Sequence, residues 1–128
     1  MPNLNIAATD RTPEVNLDAD NGKLSIKGES YPEDVTAFYG PILEQIDGAL
    51  GALDGGELEI EFELIYFNSS SAKIFMGLFD SFEEAAEDGN KITINWRFDE
   101  EDDAMEELGE EFAEDLENAK LNMIKITE

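Results

Sequence analysis

The segment Glu57–Phe67 constrains the fold of this chain more than any other part of the sequence. Its apolar residues first alternate with acidic ones, at Leu58, Ile60, Phe62 and Leu64, and the last four residues of the segment are all apolar. Alternation is typical of a β-strand, and a continuous apolar run is typical of a strand covered on both faces. The pattern therefore predicts a central strand whose end lies between two covering layers.

Helical and strand patterns alternate along the rest of the chain. Apolar residues spaced three and four apart predict helices over about residues 34–53, 72–88 and 104–117. Alternating apolar residues predict strands over residues 91–98 and 121–126. Pro41 lies inside the first helical pattern, so we expect either a kink there or a helix that begins later.

The first part of the chain carries a hairpin signal. Val15 and Leu17 alternate before the turn residues Asn21 and Gly22, and the alternation resumes after the turn. Both turn residues tolerate a positive φ, so the pair predicts a type I′ turn. Residues 1–12 show no clear periodicity and are expected to form an extended arm.

These elements together predict an α/β fold. The later strands, separated by helices, are expected to be parallel and joined by right-handed crossovers, with three helices packed on a mixed sheet and a hairpin at its start. A chain of 128 residues can bury roughly two-thirds of its unfolded surface in one core. We therefore expect a single domain over residues 1–128.

Composition narrows the possible functions. The chain has 32 acidic and 8 basic residues, and its net charge of −24 would repel nucleic acid and anionic membranes. It contains no cysteine and no histidine, which removes thiol chemistry and the usual base of nucleophilic triads. No phosphate-loop motif points to a nucleotide cofactor, and no apolar run approaches the length of a membrane span. A non-enzymatic cytoplasmic protein without a cofactor is expected, and its acidity indicates either a saline habitat or a docking surface for a basic protein.

A serine run follows the predicted central strand. Asn68, Ser69, Ser70 and Ser71 lie where that strand ends and a helix begins, so unpaired backbone amides point outward there. A phosphate on Ser69 or Ser70 would meet these amides and the positive end of the helix dipole, and Lys73 could neutralise part of its charge. The simpler interpretation is that the serines only cap the helix.

A second candidate site is acidic. Asp99, Glu100, Glu101, Asp102 and Asp103 form an acidic run before the third predicted helix. Carboxylates are ligands for magnesium or calcium, so a small metal-binding protein or hydrolase is an alternative. A solvated face with favourable charge at a helix N-terminus explains the same residues without a metal.

Several motifs, taken in order along nearly the whole chain, form a combination found in one protein family. They are Thr12-Pro13, residues 28–33 (Gly-Glu-Ser-Tyr-Pro-Glu), residues 66–73 (Tyr-Phe-Asn-Ser-Ser-Ser-Ala-Lys), Asn95-Trp96 and residues 108–112 (Leu-Gly-Glu-Glu-Phe). This combination resembles the bacterial SiaC-type regulatory phosphoproteins.

The resemblance implies a fold like that of the sulfate-transporter and anti-sigma-antagonist (STAS) domains. It also implies a partner-switching circuit in cyclic di-GMP signalling and biofilm control. In such a circuit a protein kinase modifies the protein, a PP2C-type phosphatase reverses this, and the unmodified form binds and activates a diguanylate cyclase. The family phosphoacceptor is a threonine directly after the asparagine, which matches Ser69; Ser70 and Ser71 remain chemically equivalent neighbours. The implied partner-binding surface comprises Asn68, Ser69, Ser70, Ser71 and Lys73.

Overall fold

The computed structural model describes residues 3–127 and shows an α/β fold with a six-stranded mixed sheet and three helices. In chain order the elements are β1 (Asn3–Ile6), β2 (Glu14–Asp18), β3 (Lys23–Ser30), α1 (Val35–Gly51), β4 (Glu57–Phe67), α2 (Ser69–Glu87), β5 (Lys91–Asp99), α3 (Asp103–Phe112) and β6 (Lys120–Ile126). The strands lie in the sheet in the order of the sequence. The fold class, the hairpin and the helical crossovers expected from the sequence are confirmed.

The direction of the crossovers leaves one face of the sheet open. The strands β1 to β3 pair antiparallel, whereas β3 to β6 pair parallel. Each of the three helices connects one strand to the strand beside it, and these connections all advance in the same direction across the sheet. Right-handed connections that advance in one direction place their helices on the same face of the sheet. The other face is therefore not covered by a helix, and the prediction that β4 ends between two layers is wrong.

A β-bulge explains the apolar run at the end of β4. Gly28 pairs with Leu64 but the next residue, Glu29, pairs with Tyr66, so Ile65 is an extra residue in β4. The bulge interrupts the alternation of side chains. Ile65 lies at an outward position of the regular alternation and is 69% exposed, and the extra residue places Tyr66 outward as well, 52% exposed, and returns Phe67 to the core.

The open face carries a charged ladder. Acidic residues of β4 lie between basic residues of β3 and β5, and the closest pairs are Lys23–Glu59 at 2.6 Å and Arg97–Glu63 at 3.1 Å. Further contacts are Lys27–Glu61, Lys91–Glu57 and Arg97–Glu61. Because polar residues alternate with core residues in these strands, the parallel sheet tolerates one solvated face.

The hairpin differs in detail from the prediction. Residues 19–22 connect β2 to β3, and only Gly22 of the two turn residues has a positive φ, of 64°. The Asn21 side chain instead donates to a carboxylate oxygen of Asp18 at 2.7 Å, so the type I′ turn is wrong. The extended arm contributes β1, which pairs with β2; Met1 and Pro2 of that arm lie outside the described residues.

The helix boundaries also shift. Helix α1 begins after Asp34, whose carboxylate accepts from the Ala37 amide at 3.1 Å, and it runs through Pro41 rather than beginning after it. Helix α2 begins at Ser69, earlier than expected, and α3 ends at Phe112, earlier than expected. Over residues 3–127, no helix combines the length and apolarity that a membrane crossing requires.

Aromatic side chains fill the centre of the core. The Trp96 ring is 1% exposed and lies 5.4 Å from the Phe62 ring and 5.7 Å from the Phe112 ring, measured between centroids. Its indole nitrogen donates to the Met105 carbonyl at 3.0 Å. Helix α3 therefore packs on β5 through one buried tryptophan.

Glu83 of α2 holds the segment between α3 and β6. Its carboxylate accepts from the Asn118 amide at 3.0 Å, from the Ala119 amide at 2.9 Å and from the Asn118 side chain at 2.9 Å. Burial alone would raise the pKa of Glu83, but these hydrogen bonds outweigh it and hold the pKa below its ordinary value of 4.5.

We expect Glu83→Gln to lower the free energy of unfolding at pH 7 by roughly 1 kcal/mol, since charge-assisted hydrogen bonds are lost. A carboxyl with a lowered pKa contributes stability above its unfolded pKa and loses it as the pH falls through the folded pKa. The difference between wild type and variant should therefore shrink below about pH 4.5. Urea denaturation at several pH values between 3 and 7 measures the free energy of unfolding of the wild type and of the variant. The matched control is Glu84→Gln, an exposed neighbour on the same helix; an equal loss in both variants would contradict the prediction.

Candidate phosphorylation and partner-binding site

The serine run lies at the junction of β4 and α2. Asn68 is the N-cap of α2, and its side-chain oxygen accepts from the Ser71 amide at 2.9 Å. The Asn68 amide donates to the Ser30 carbonyl at 3.1 Å, which ties the junction to the end of β3. Asparagine is among the preferred N-cap residues because its side chain satisfies an amide that the helix leaves free.

The serines form the first turn of α2. This differs from the expectation that all four residues precede a helix starting at Ala72. Ser69 and Ser70 are exposed, whereas Ser71 is fully buried. The first amides of a helix have no acceptor within it, so the backbone at Ser69 and Ser70 favours an anion nearby.

Ser71 belongs to a buried hydroxyl network. The Ser30 hydroxyl lies 2.8 Å from the Ser71 hydroxyl and is also hydrogen-bonded to the Tyr39 hydroxyl, and all three residues are 0% exposed. Burial raises the pKa of Tyr39 to about 12, although its hydrogen bonds with serine act in the opposite direction. The network joins β3, α1 and the first turn of α2 beneath the exposed serines.

Lys73 lies one helical turn beyond Ser69, on the exposed side of α2. Residues separated by one turn share a helix face, so its ammonium group is within reach of an anion attached at Ser69. Lys73 also borders a groove of about 220 Å³ between α1 and α2, together with Leu43 and Asp47. The structure thus places Lys73 and the exposed serines on one surface.

The exposure of two apolar residues near the end of β4, before this junction, was missed by reasoning from the sequence. Ile65 and Tyr66 precede the serines and are exposed, and the Tyr66 ring packs edge-on against the Tyr31 ring at 5.7 Å. Their signal, a run of apolar residues, is the same for a buried strand end and for a bulge. A buried strand end and a bulge can be told apart only from the pairing of β4 residues with β3 residues.

The motifs that carry the family resemblance converge in space. The Tyr31 amide donates to the Arg11 carbonyl at 2.7 Å, so the segment before Thr12-Pro13 contacts residues 28–33. Residues 28–33 in turn contact residues 66–73 through the Ser30 hydroxyl network. The remaining two motifs, Asn95-Trp96 and residues 108–112, meet where Trp96 packs on Phe112.

The acidic run acts as a turn and a helix cap. An Asp99 carboxylate oxygen accepts from the Glu101 amide at 2.9 Å, and an Asp102 oxygen accepts from the Met105 amide at 3.0 Å. Within residues 3–127, no group of three or more acidic, histidine or cysteine side chains could hold a metal ion. The structure therefore adds no support for the metal-binding or hydrolase alternative.

Comparison with known proteins agrees with the motifs. The profile of the SiaC family regulatory phosphoproteins matches residues 6–126. An uncharacterized protein of Pseudomonas aeruginosa strain UCBPP-PA14 is 36% identical over 116 residues, which cover 90% of each chain.

Solved structures share the same fold. SiaC of Pseudomonas aeruginosa has a TM-score of 0.88 at 32% identity, with 98% of this chain and 100% of that chain covered. SiaC in a crystal structure of the diguanylate cyclase SiaD with its activator SiaC, also from Pseudomonas aeruginosa, has a TM-score of 0.89 at 32% identity, with 96% and 99% covered. The present chain belongs to the SiaC family of regulatory phosphoproteins.

Proposed function

We propose that the unmodified protein binds and activates a diguanylate cyclase and that phosphorylation of Ser69 blocks this binding. The observation that carries the proposal is an exposed serine in the first turn of α2, directly after the capping Asn68. The solved complex of SiaD with its activator SiaC supports the choice of effector, since that activator shares this fold. The protein itself acts as a binding module rather than as an enzyme.

Burial distinguishes Ser69 from one of its neighbours. The Ser71 hydroxyl is fully buried and hydrogen-bonded, so a kinase could not reach it without opening the first turn of α2. Ser69 and Ser70 are both exposed. Ser69 is the proposed phosphoacceptor because it occupies the position directly after the asparagine, as the family resemblance implies.

A phosphoryl group at Ser69 changes the surface locally. It adds about two negative charges at one point, beside free amides and the positive end of the helix dipole. These groups and Lys73 stabilise the phosphate in place, and a partner must then desolvate it in order to dock. Binding can change without backbone movement, because any difference in contact energy shifts the populations of the complexes.

The proposal includes two further partners. A protein kinase adds the phosphoryl group and a PP2C-type phosphatase removes it, as the family resemblance implies. Both enzymes must approach the first turn of α2, where Asn68, Ser69, Ser70 and Lys73 are at least partly exposed. The kinase, the phosphatase and the cyclase therefore compete for one surface.

We expect Ser69→Asp to weaken binding of the cyclase by at least about tenfold, which corresponds to about 1.4 kcal/mol. The reason is the cost of desolvating a charge in the interface. Calorimetry with the diguanylate cyclase from the same cell measures the affinity, and cyclic di-GMP production measures activation. Ser69→Ala keeps the site uncharged and should still bind.

Ser70→Asp is the matched control for charge, since Ser70 is also exposed in the same turn. It should weaken binding less than Ser69→Asp. Phosphosite mapping of protein purified from its native cell should show modification at Ser69. The proposal fails if Ser69→Asp and the phosphorylated protein bind the cyclase as tightly as the unmodified chain.

A further inference from the structure

A cleft of about 310 Å³ lies on the open face at the carboxyl ends of β4 and β5. We call it the β4–β5 cleft. It is distinct from the surface around Ser69, because that surface belongs to α2, which covers the opposite face of the sheet. Its lining includes apolar and charged side chains, among them Ile65, Ile126, Glu63, Arg97, Asp99 and Asp102.

The apolar part of the cleft includes the exposed Ile65 and the half-buried Ile126. Ile65 is 69% exposed because it continues the outward-facing positions of β4 after Glu63, on the face that no helix covers. Ile126 of β6 pairs in register with Asp99, so it belongs to the same face of the sheet. Covering these two side chains would remove apolar surface from water, which favours binding of a segment that carries an apolar side chain.

The charged part of the cleft has an excess of negative charge. Arg97 is already engaged, at 3.1 Å from Glu63 and 4.0 Å from Glu61. Among residues 3–127, neither Asp99 nor Asp102 forms an ion pair. Each of these carboxylates uses one oxygen for a backbone amide, which leaves its second oxygen for a partner.

The negative charge of the cleft and of the whole chain also indicates which kind of molecule binds there. A second copy of this chain would bring another net charge of −24 to the cleft, and like charges at that density oppose association. A basic segment is attracted by the same field. Its lysine or arginine side chains would face Asp99 and Asp102, and an apolar side chain between them would cover Ile65 and Ile126.

We propose that the β4–β5 cleft docks a basic, apolar-anchored peptide segment of a partner protein, independently of the modification state of Ser69. The cleft thus provides a second contact, in addition to the switched surface at α2. This site retains its affinity when Ser69 is phosphorylated, because the phosphoryl group lies outside it.

The test uses the full chain and a synthetic peptide of alternating leucine and lysine, with a leucine–glutamate peptide for comparison. In nuclear magnetic resonance titrations, the lysine peptide should shift the backbone amides of Ile65, Asp99 and Ile126. Ile65→Asp should weaken this binding about tenfold. The control Met76→Asp adds the same charge at another exposed apolar residue, 51% exposed on α2, and should leave the affinity unchanged or slightly higher.

The control separates specific docking from general attraction. Ile65→Asp makes the protein more acidic, so nonspecific attraction of a basic peptide would increase rather than decrease. Asp99→Asn should also weaken binding while it keeps an oxygen for the Glu101 amide, and it serves as a second variant if Ile65→Asp unfolds the protein.

Three results would overturn the proposal. They are equal binding of the two peptides, equal affinity of Ile65→Asp and Met76→Asp, and concentration-dependent self-association that Ile65→Asp abolishes. Repeating the titration with Ser69→Asp separates this inference from the proposed function, since the peptide should bind that variant as it binds wild type. Loss of peptide binding in Ser69→Asp would contradict independence from Ser69.

Discussion

Gly109→Ala should lower the free energy of unfolding by about 2 kcal/mol, although alanine is the better helix former. A Cβ atom added at Gly109 would lie 2.5 Å from two atoms of the Trp96 ring. That ring is 1% exposed and its nitrogen is bonded to the Met105 carbonyl, so it has little freedom to move aside. Overpacking of this kind costs about 3 kcal/mol, against a gain of about 1 kcal/mol from helix propensity.

Gly77→Ala provides the matched control. Gly77 is also inside a helix, but nothing lies within 4 Å of the position of its added Cβ. This variant should be stabilised by about 0.5–1 kcal/mol, because only the propensity gain applies. Urea denaturation of both variants gives the comparison, and the tryptophan emission of the native state reports the position of the Trp96 ring. A stabilised Gly109→Ala variant would mean that α3 can move away from β5 at little cost.

Ser30→Ala should have a larger effect, of about 2–4 kcal/mol. The Ser30 hydroxyl is hydrogen-bonded to both Ser71 and Tyr39, and the structure buries all three side chains. Its removal leaves two buried hydroxyl groups without that partner, and each unsatisfied group costs about 1–3 kcal/mol. Because Ser71 belongs to the first turn of α2, hydrogen exchange of that turn should also accelerate.

A double-mutant cycle isolates the network. Tyr39→Phe removes one hydroxyl and should cost about 1 kcal/mol. The double variant with Ser30→Ala should be no less stable than Ser30→Ala alone, since one of the unsatisfied groups is then absent. Ser25→Ala, on the open face of the same strand, should change stability by less than about 0.5 kcal/mol. Additive effects of the Ser30 and Tyr39 changes would show that the hydroxyl groups do not act together.

The first turn of α2 connects these stability effects with regulation. Ser71 is held from below by Ser30, while Ser69 of the same turn faces solvent. The Ser30–Ser71 hydrogen bond ties this turn to β3, and a preformed anion site loses less entropy on use. Variants of Ser30 therefore test whether an ordered turn is needed for the switch.

Periodic and local signals in the sequence were sufficient for the α/β class and for the position of the candidate site. The alternation in Glu57–Phe67 identified β4, and the asparagine and serines after it identified a helix start. Such signals depend on neighbouring residues in the chain, so one sequence contains them in full. The local chemistry is the same at Ser69 and Ser70, and the choice of Ser69 came from the family motifs.

Other features depend on contacts between distant segments. The Ser71 hydroxyl is hydrogen-bonded to Ser30, which comes from β3, and the exposure of Tyr66 follows from a register shift between β3 and β4. The close approach of Gly109 to Trp96 joins two elements in the same way. A periodic pattern does not specify the register or the partner of a strand, so these contacts had no local signal.

The sequence by itself determined the order of the strands and helices, the solvated acidic character of the chain and the junction at which a capping asparagine begins a helix. The tertiary structure alone decided that all three helices cover one face, that Ser71 is buried while Ser69 and Ser70 are exposed, and that Ile65 and Tyr66 of β4 face solvent. The physical reason is that hydrophobic periodicity is encoded residue by residue, whereas crossover direction and strand register arise only when segments far apart in the chain pack together.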